Sequence, residues 1–318
     1  MRKKKNIPII ISIILIMFIT VGYSAFNTNI SLKVKGNIKE EYFTFNGVTV
    51  KLEESGLYKE NRTYIYKGQN PNNYIIFNNE NYRILSINED KTIKIIRETP
   101  ITDKINYDQC QEGYNVTVLT NRYNADGYCQ NSNGCNWYGS SSSTYDNLGN
   151  AVSEITIDGK IYKLPEEDAL VNQYLNSTNR YKDSGYYSAL SETAKDQIIS
   201  HVFNIGPVTG SSTALAEEEA YKWKGNIGLA SVSDYLNSKL DNSTYMHNIY
   251  SWYWLINPVK GTNAQQTGVS IHQYNLNTTG YVYWGIGTSV GIVPVMYLKS
   301  DIKLSGDGTE NNKFKIKY

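Results

Sequence analysis

Short runs of β-branched and aromatic residues recur at 63–66, 74–77, 82–87 and 92–97, separated by Gly, Asn, Pro and Asp. Such runs suit a pleated, half-buried surface, and turn formers between them predict an antiparallel meander. From 106 to 150 the periodicity disappears into polar, Gly- and Asn-rich sequence that includes the serine run 140–143, which predicts a long surface loop. Strand character returns in I-T-I-D-G-K-I-Y-K-L, where Asp158-Gly159 predicts a hairpin turn.

Helical signals follow. Pro165 with Glu166, Glu167 and Asp168 predicts a first helical turn, since acidic groups there complement the backbone dipole. Ser191 caps a second predicted helix through L-S-E-T-A-K-D-Q-I-I, a third covers 214–222, and Ser233-Asp234 opens a further short one. Residues 227–230 predict a buried strand, and 251–298 alternates aromatic or aliphatic runs with turn residues. No period of roughly 20 to 50 residues repeats, which argues against solenoids and propellers. Strands, then helices, then strands define an α+β class of antiparallel strands with a few short helices.

The N-terminus sets the compartment. Arg2, Lys3, Lys4 and Lys5 precede a nearly unbroken apolar run at 7–21, followed by Gly22-Tyr23-Ser24-Ala25. A charged head, an apolar core and small residues at the exit form a secretory signal, with cleavage expected after Ser24 or Ala25. The alternative is an uncleaved anchor, because the run approaches the ~20 residues of a membrane span only if 22–26 are included. The expected organisation is a signal peptide or anchor at 1–25, an N-terminal strand and linker region at 26–60, and an extracellular domain at 61–318. The product is expected to be secreted or at the cell surface, touching membrane only through this segment.

With 318 residues, 40% hydrophobic and 19% charged, the chain has enough apolar content to bury a core and is not of disordered composition. The formal charge of +1 becomes a slight acidic excess once the four leading basic residues are set aside, which argues against a nucleic-acid partner.

The segment G-Y-S-A-F-N-T-N-I-S-L-K-V-K-G-N-I at 22–38 resembles the start of camelysin and biofilm-matrix-type proteins. That resemblance implies export to a surface or matrix. Further along, A-L-V-N-Q-Y-L-N (169–176), Y-Y-S-A-L-S (186–191), W-K-G-N-I-G-L-A-S-V-S-D-Y (223–235), W-Y-W-L-I-N-P (252–258) and G-I-V-P-V-M-Y-L-K-S (291–300) resemble an extracellular domain family of secreted Gram-positive proteins. Many relatives read W-W-L-R-S-P and G-V-R-P-A, so Ile256 and Val293 stand here in place of two arginines. The terminal aromatic strands are similar to the C-type-lectin and formylglycine-generating-enzyme architecture. The resemblance implies no activity.

The chemistry-bearing residues are sparse. His201, His247 and His272 show no i, i+4 pairing or H-E-x-x-H pattern, so no metal site and no cofactor are implied. Glu166 with Glu167, and 217–219, read as helix first-turn or solvated acidic groups. Neither a nucleophile elbow nor a phosphate-binding loop is present. Cys110, Cys129 and Cys135 all fall in the long loop, and Cys129 with Cys135 is the disulfide candidate for an exported protein.

Aromatic pairs are the strongest ligand-binding candidates. Trp252 and Trp254, and likewise Tyr281 and Tyr283, are spaced to share a strand face, with Trp284 adjacent to the second pair. The first pair also suits the core, whereas the second sits in a Gly/Thr-rich hairpin and is expected outside. The leading expectation is a non-enzymatic binding or adhesion module for a glycan, peptide or wall component. A secreted hydrolase of wall or host polymers and a structural matrix subunit are the alternatives.

Overall fold

In the computed structural model, which describes residues 41–101, 144–146, 150, 154–157, 160–163, 168–206, 208, 214–249, 252–257, 268–272, 281–284 and 291–317, the chain opens with a hairpin. Strands β1 (Tyr42–Phe45) and β2 (Val48–Lys51) are joined by Asn46-Gly47, whose φ values of 48° and 86° suit the tight turn that Asn-Gly favours. The Asn46 amide donates to the carbonyls of Ser300 and Ile302, fixing this hairpin to the C-terminal part of the fold. A second hairpin follows, β3 (Leu57–Glu60) and β4 (Thr63–Tyr66). Strand β4 was expected at 63–66, whereas β1, β2 and β3 fall in the stretch at 26–60 expected as strand and linker; the described compact unit runs from Glu41 to Tyr318. The four-residue strands are too short to give a clear alternating signal.

Next come β5 (Tyr74–Phe77), β6 (Glu80–Ile87) and β7 (Ile93–Arg97), then β8 (Thr144–Asp146), β9 (Glu154–Ile157) and β10 (Lys160–Lys163). Strands β9 and β10 pair with Ile157 opposite Lys160, as a two-residue connection at Asp158-Gly159 requires. The helical stretch holds α1 (Leu170–Asn176), a 3-10 turn (Asn179–Tyr181), α2 (Tyr186–Ala189) and α3 (Glu192–Gln197). Ser191 caps α3, its hydroxyl accepting from the Ala194 amide at 3.2 Å.

Beyond them lie β11 (Ile198–Ile199), β12 (His201–Asn204), α4 (Ala214–Glu218), β13 (Tyr221–Gly225), β14 (Ile227–Gly228), α5 (Val232–Asn237) and a 3-10 turn (Tyr245–Asn248). Strands β15 (Trp252–Trp254), β16 (Gly268–His272), β17 (Tyr281–Trp284), β18 (Val295–Leu298), β19 (Lys303–Ser305) and β20 (Phe314–Lys317) complete the described elements. The class is α+β, with antiparallel strands dominating.

Among the described residues a ten-stranded sheet runs β11-β18-β7-β6-β5-β20-β19, with β14 also on β18 and the β3–β4 hairpin attached to β6. All its pairings are antiparallel except β20 on β5. Strands β5, β6 and β7 form the expected meander, but β4 pairs with the far end of β6, placing Tyr64 opposite Ile87 and Ile65 opposite Ser86. On the β7 side Ile84 faces Ile95 and Ser86 faces Lys94, leaving Leu85 as a bulge that bends the strand. Strand β18 is buried throughout and β7 at all but Arg97. Burial on both faces explains the unbroken apolar run of β18 and the isoleucines of β7.

Three expectations need correction. Helix α1 starts at Leu170 with no acidic residue in its first turn, and Asp168 precedes it, its carbonyl accepting from the Gln173 side chain at 2.7 Å. The helix expected over 214–222 stops at Glu218, because Tyr221 and Trp223 alternate with lysines at strand period and β13 pairs with β12 and β8. Strand β8 lies within the stretch expected to be loop; the remainder of 106–150 is outside the described residues except Asn150.

Candidate functional site

Lys94 interrupts an aliphatic strand, with Ile93, Ile95 and Ile96 around it, and is itself buried. Its ammonium meets both carboxylate oxygens of Asp234 at 2.8 and 2.6 Å, the two side chains being 10% and 15% exposed. Tyr297 is its register partner on β18, and the ammonium lies 5.4 Å from that ring's centroid. Burial alone would push Lys94 down, but the Asp234 carboxylate and the Tyr297 hydroxyl hold it above the usual lysine range.

Asp234 is held by the start of α5, where the first helical amides need partners outside the helix. Val232 N–H donates to Asn257 Oδ1 at 3.0 Å, Ser233 N–H to Glu218 Oε1 at 2.7 Å, and Asp234 N–H to Ser231 Oγ at 3.1 Å. The Asp234 carboxylate accepts from Ser231 N–H at 2.8 Å, closing a capping box. Each of these donors therefore ends on a side chain. Asn257, fully buried, also donates to the carbonyls of Asn204 and Gly206, tying α5 to the end of β12.

Glu218 ends α4 and is fully buried. Besides the Ser233 amide it accepts from Ser233 Oγ at 2.5 Å. Burial, only partly offset by those hydrogen bonds, pushes its carboxyl up to about 7. Gly206 makes the close approach: its N–H donates to the Glu218 carbonyl at 2.9 Å, and a Cβ there would collide with the Glu217 carbonyl oxygen.

Lys94, Asp234 and Tyr297 line a cleft of about 420 Å³, which is also bounded by the β3–β4 turn, the β6 bulge and β12. Asn61, in the turn with φ of 52°, reaches the cleft together with Thr63, Ser86, Asn204 and Asn237. None of these five side chains hydrogen-bonds to another residue among those described. Leu85, Val202 and Phe203 are among the cleft's apolar lining residues, and of these Val202 is the exposed one.

Of the aromatic ligand-binding candidates only Trp254 has a described side chain, and it does not line this cleft. Trp254 is fully buried, a core ring, which is the core reading the sequence offered for the Trp252/Trp254 pair beside its candidacy for ligand binding. The side chains of Trp252, Tyr281, Tyr283 and Trp284 lie outside the described residues, although β17 is a strand as expected. Ser24, Ala25, Cys110, Cys129, Cys135, Glu166 and Glu167 also lie outside them.

His201 stacks on Tyr297 at 3.7 Å and 11°, and burial lowers its pKa; His247 hydrogen-bonds to the Tyr235 hydroxyl at 2.7 Å. Among the described residues no three His, Cys, Asp or Glu side chains are close enough to hold a metal, and no helix is long and apolar enough to cross a membrane. Ile256 and Val293 are both buried.

The chain matches none of the known protein families, curated proteins or solved structures with which it was compared. Sequence reading missed Lys94, Asp234 and Glu218 as a set. Glu218 had been assigned to a solvated acidic run and is instead buried. The one legible signal was Lys94 itself, a lysine in the middle of I-K-I-I.

Proposed function

We propose that this chain is an exported surface protein acting as a non-enzymatic binding module, with its ligand in the cleft over the Lys94–Asp234 pair. The observation that carries this reading is the convergence of five side chains, Asn61, Thr63, Ser86, Asn204 and Asn237, whose hydrogen-bonding capacity no described residue uses. Convergent polar groups in a concave site are what fix a ligand's orientation. Hydrolysis is less well supported, because the ionisable groups nearby are already engaged. Lys94 and Asp234 hold each other, Glu218 is taken up by Ser233, and among the described residues neither Glu218 nor a histidine lines the cleft. The N-terminal layout and the family-like motifs support export and a surface role.

The test is a triple variant, Asn61→Ala, Asn204→Ala and Asn237→Ala, screened with wild type against glycans, peptides and wall fragments. These positions are partly or fully exposed, so each change should alter stability by no more than about 0.5 kcal/mol. Loss of a wild-type interaction at unchanged melting temperature is the expected result. A folded triple variant that retains every interaction contradicts the proposal.

A further inference from the structure

We infer that the cleft takes an uncharged, hydroxyl-rich ligand, a short neutral saccharide, and rejects anionic polymers and charged peptides. This rests on the reading of the cleft as a binding site and adds the chemistry of its occupant.

Among the described residues four charged side chains line the cleft, Glu60, Arg62, Lys94 and Asp234. Glu60 pairs with Lys67, Arg62 lies 3.8 Å from Glu89, and Lys94 and Asp234 hold each other at 2.6 Å. Each of these four described charges has an opposite neighbour. An anion would meet two carboxylates along with the cations, and a cation the reverse, so neither gains a complementary field.

The start of α5 offers no anion site either. Its first amides already end on Asn257, Glu218 and Ser231, and two of the groups beside them are carboxylates. A phosphate or carboxylate brought there would have to displace a buried side chain.

What stays available is neutral and two-way. A carboxamide offers both donors and an acceptor, and a hydroxyl donates and accepts, so Asn61, Asn204, Asn237, Thr63 and Ser86 together match a partner whose groups also do both. Sugar hydroxyls have that property at every ring position. Val202, 39% exposed at the cleft, offers apolar surface for the C–H face of such a ring. At about 420 Å³ the cleft falls at the lower end of the range of small-molecule sites, which suits a short oligosaccharide.

Titration calorimetry on the full exported protein tests this with defined probes: a neutral N-acetylglucosamine trimer and maltotriose, an oligomeric glycerol phosphate, and lysine and aspartate tripeptides. At least one neutral saccharide should bind, with an affinity that changes less than about twofold between low and high salt, since screening acts only on charge–charge attraction. The Asn204→Ala and Asn237→Ala double variant should weaken it at least tenfold while melting as wild type does. If only a charged probe binds, and the double variant and salt both abolish it, the neutral-ligand inference is overturned and the cleft stands as the site. If a saccharide binds equally well to wild type and double variant, the cleft reading fails as well. Lack of binding by every saccharide up to millimolar concentration overturns the inference.

Discussion

Lys94 and Asp234, 140 residues apart in the chain, form a buried ion pair that joins the central strand β7 to the first turn of α5. Removing one partner strands the other charge in a site that is mostly closed to water. Lys94→Met and Asp234→Asn should each therefore cost about 3–5 kcal/mol, read as a lower urea midpoint. The double variant should lose less than the sum, because it leaves neither charge alone. Additive losses would mean the two side chains act independently.

Glu218 predicts a pH dependence of definite sign. Its folded pKa is raised from the ordinary 4.5 to about 7, so between those values the folded protein binds more protons than the unfolded chain. Stability from this group is therefore full below the unfolded value and falls as pH rises toward about 7. Urea unfolding of wild type between about pH 5 and 8 should show that decline, and Glu218→Gln should flatten it. An unchanged slope in the variant would assign the dependence to other groups.

Much of the frame was legible in the sequence because its signals are local. The runs at 74–77 and 82–87, Asp158-Gly159 and the Ser191 cap each state their structure within a few residues. The site was not legible, for a physical reason: its parts meet only through tertiary pairing. Lys94 shows that something must neutralise it, but the partner comes from α5. Glu218 sits in E-E-E, which looks solvated until the Ser233 amide and hydroxyl draw its carboxylate inward. The site asparagines are hidden among many others that serve turns, such as Asn46, Asn78 and Asn79.

Trp254 separates packing from binding. As a fully buried ring, its replacement by alanine should cost about 3–5 kcal/mol of folding stability. Exposed Asn61→Ala should change stability by no more than about 0.5 kcal/mol while weakening ligand binding. Thermal melts with ligand titrations on both variants check the contrast; a Trp254→Ala protein as stable as wild type would contradict the core assignment.

Export predicts a processed N-terminus. Intact-mass analysis of material recovered outside cells should show a chain beginning after Ser24 or Ala25. Recovery of full-length chain in membranes would assign the apolar segment at 7–21 as an anchor.

The central claim is that ligand meets the cleft and not the aromatic strand β17. Amide chemical-shift mapping during titration with any binder identified in the screens decides it. The account predicts that the largest shifts fall at Asn61, Thr63, Ser86, Asn204 and Asn237, which surround the Lys94–Asp234 floor. Largest shifts at Tyr281, Tyr283 and Trp284, with those five unmoved, would contradict it.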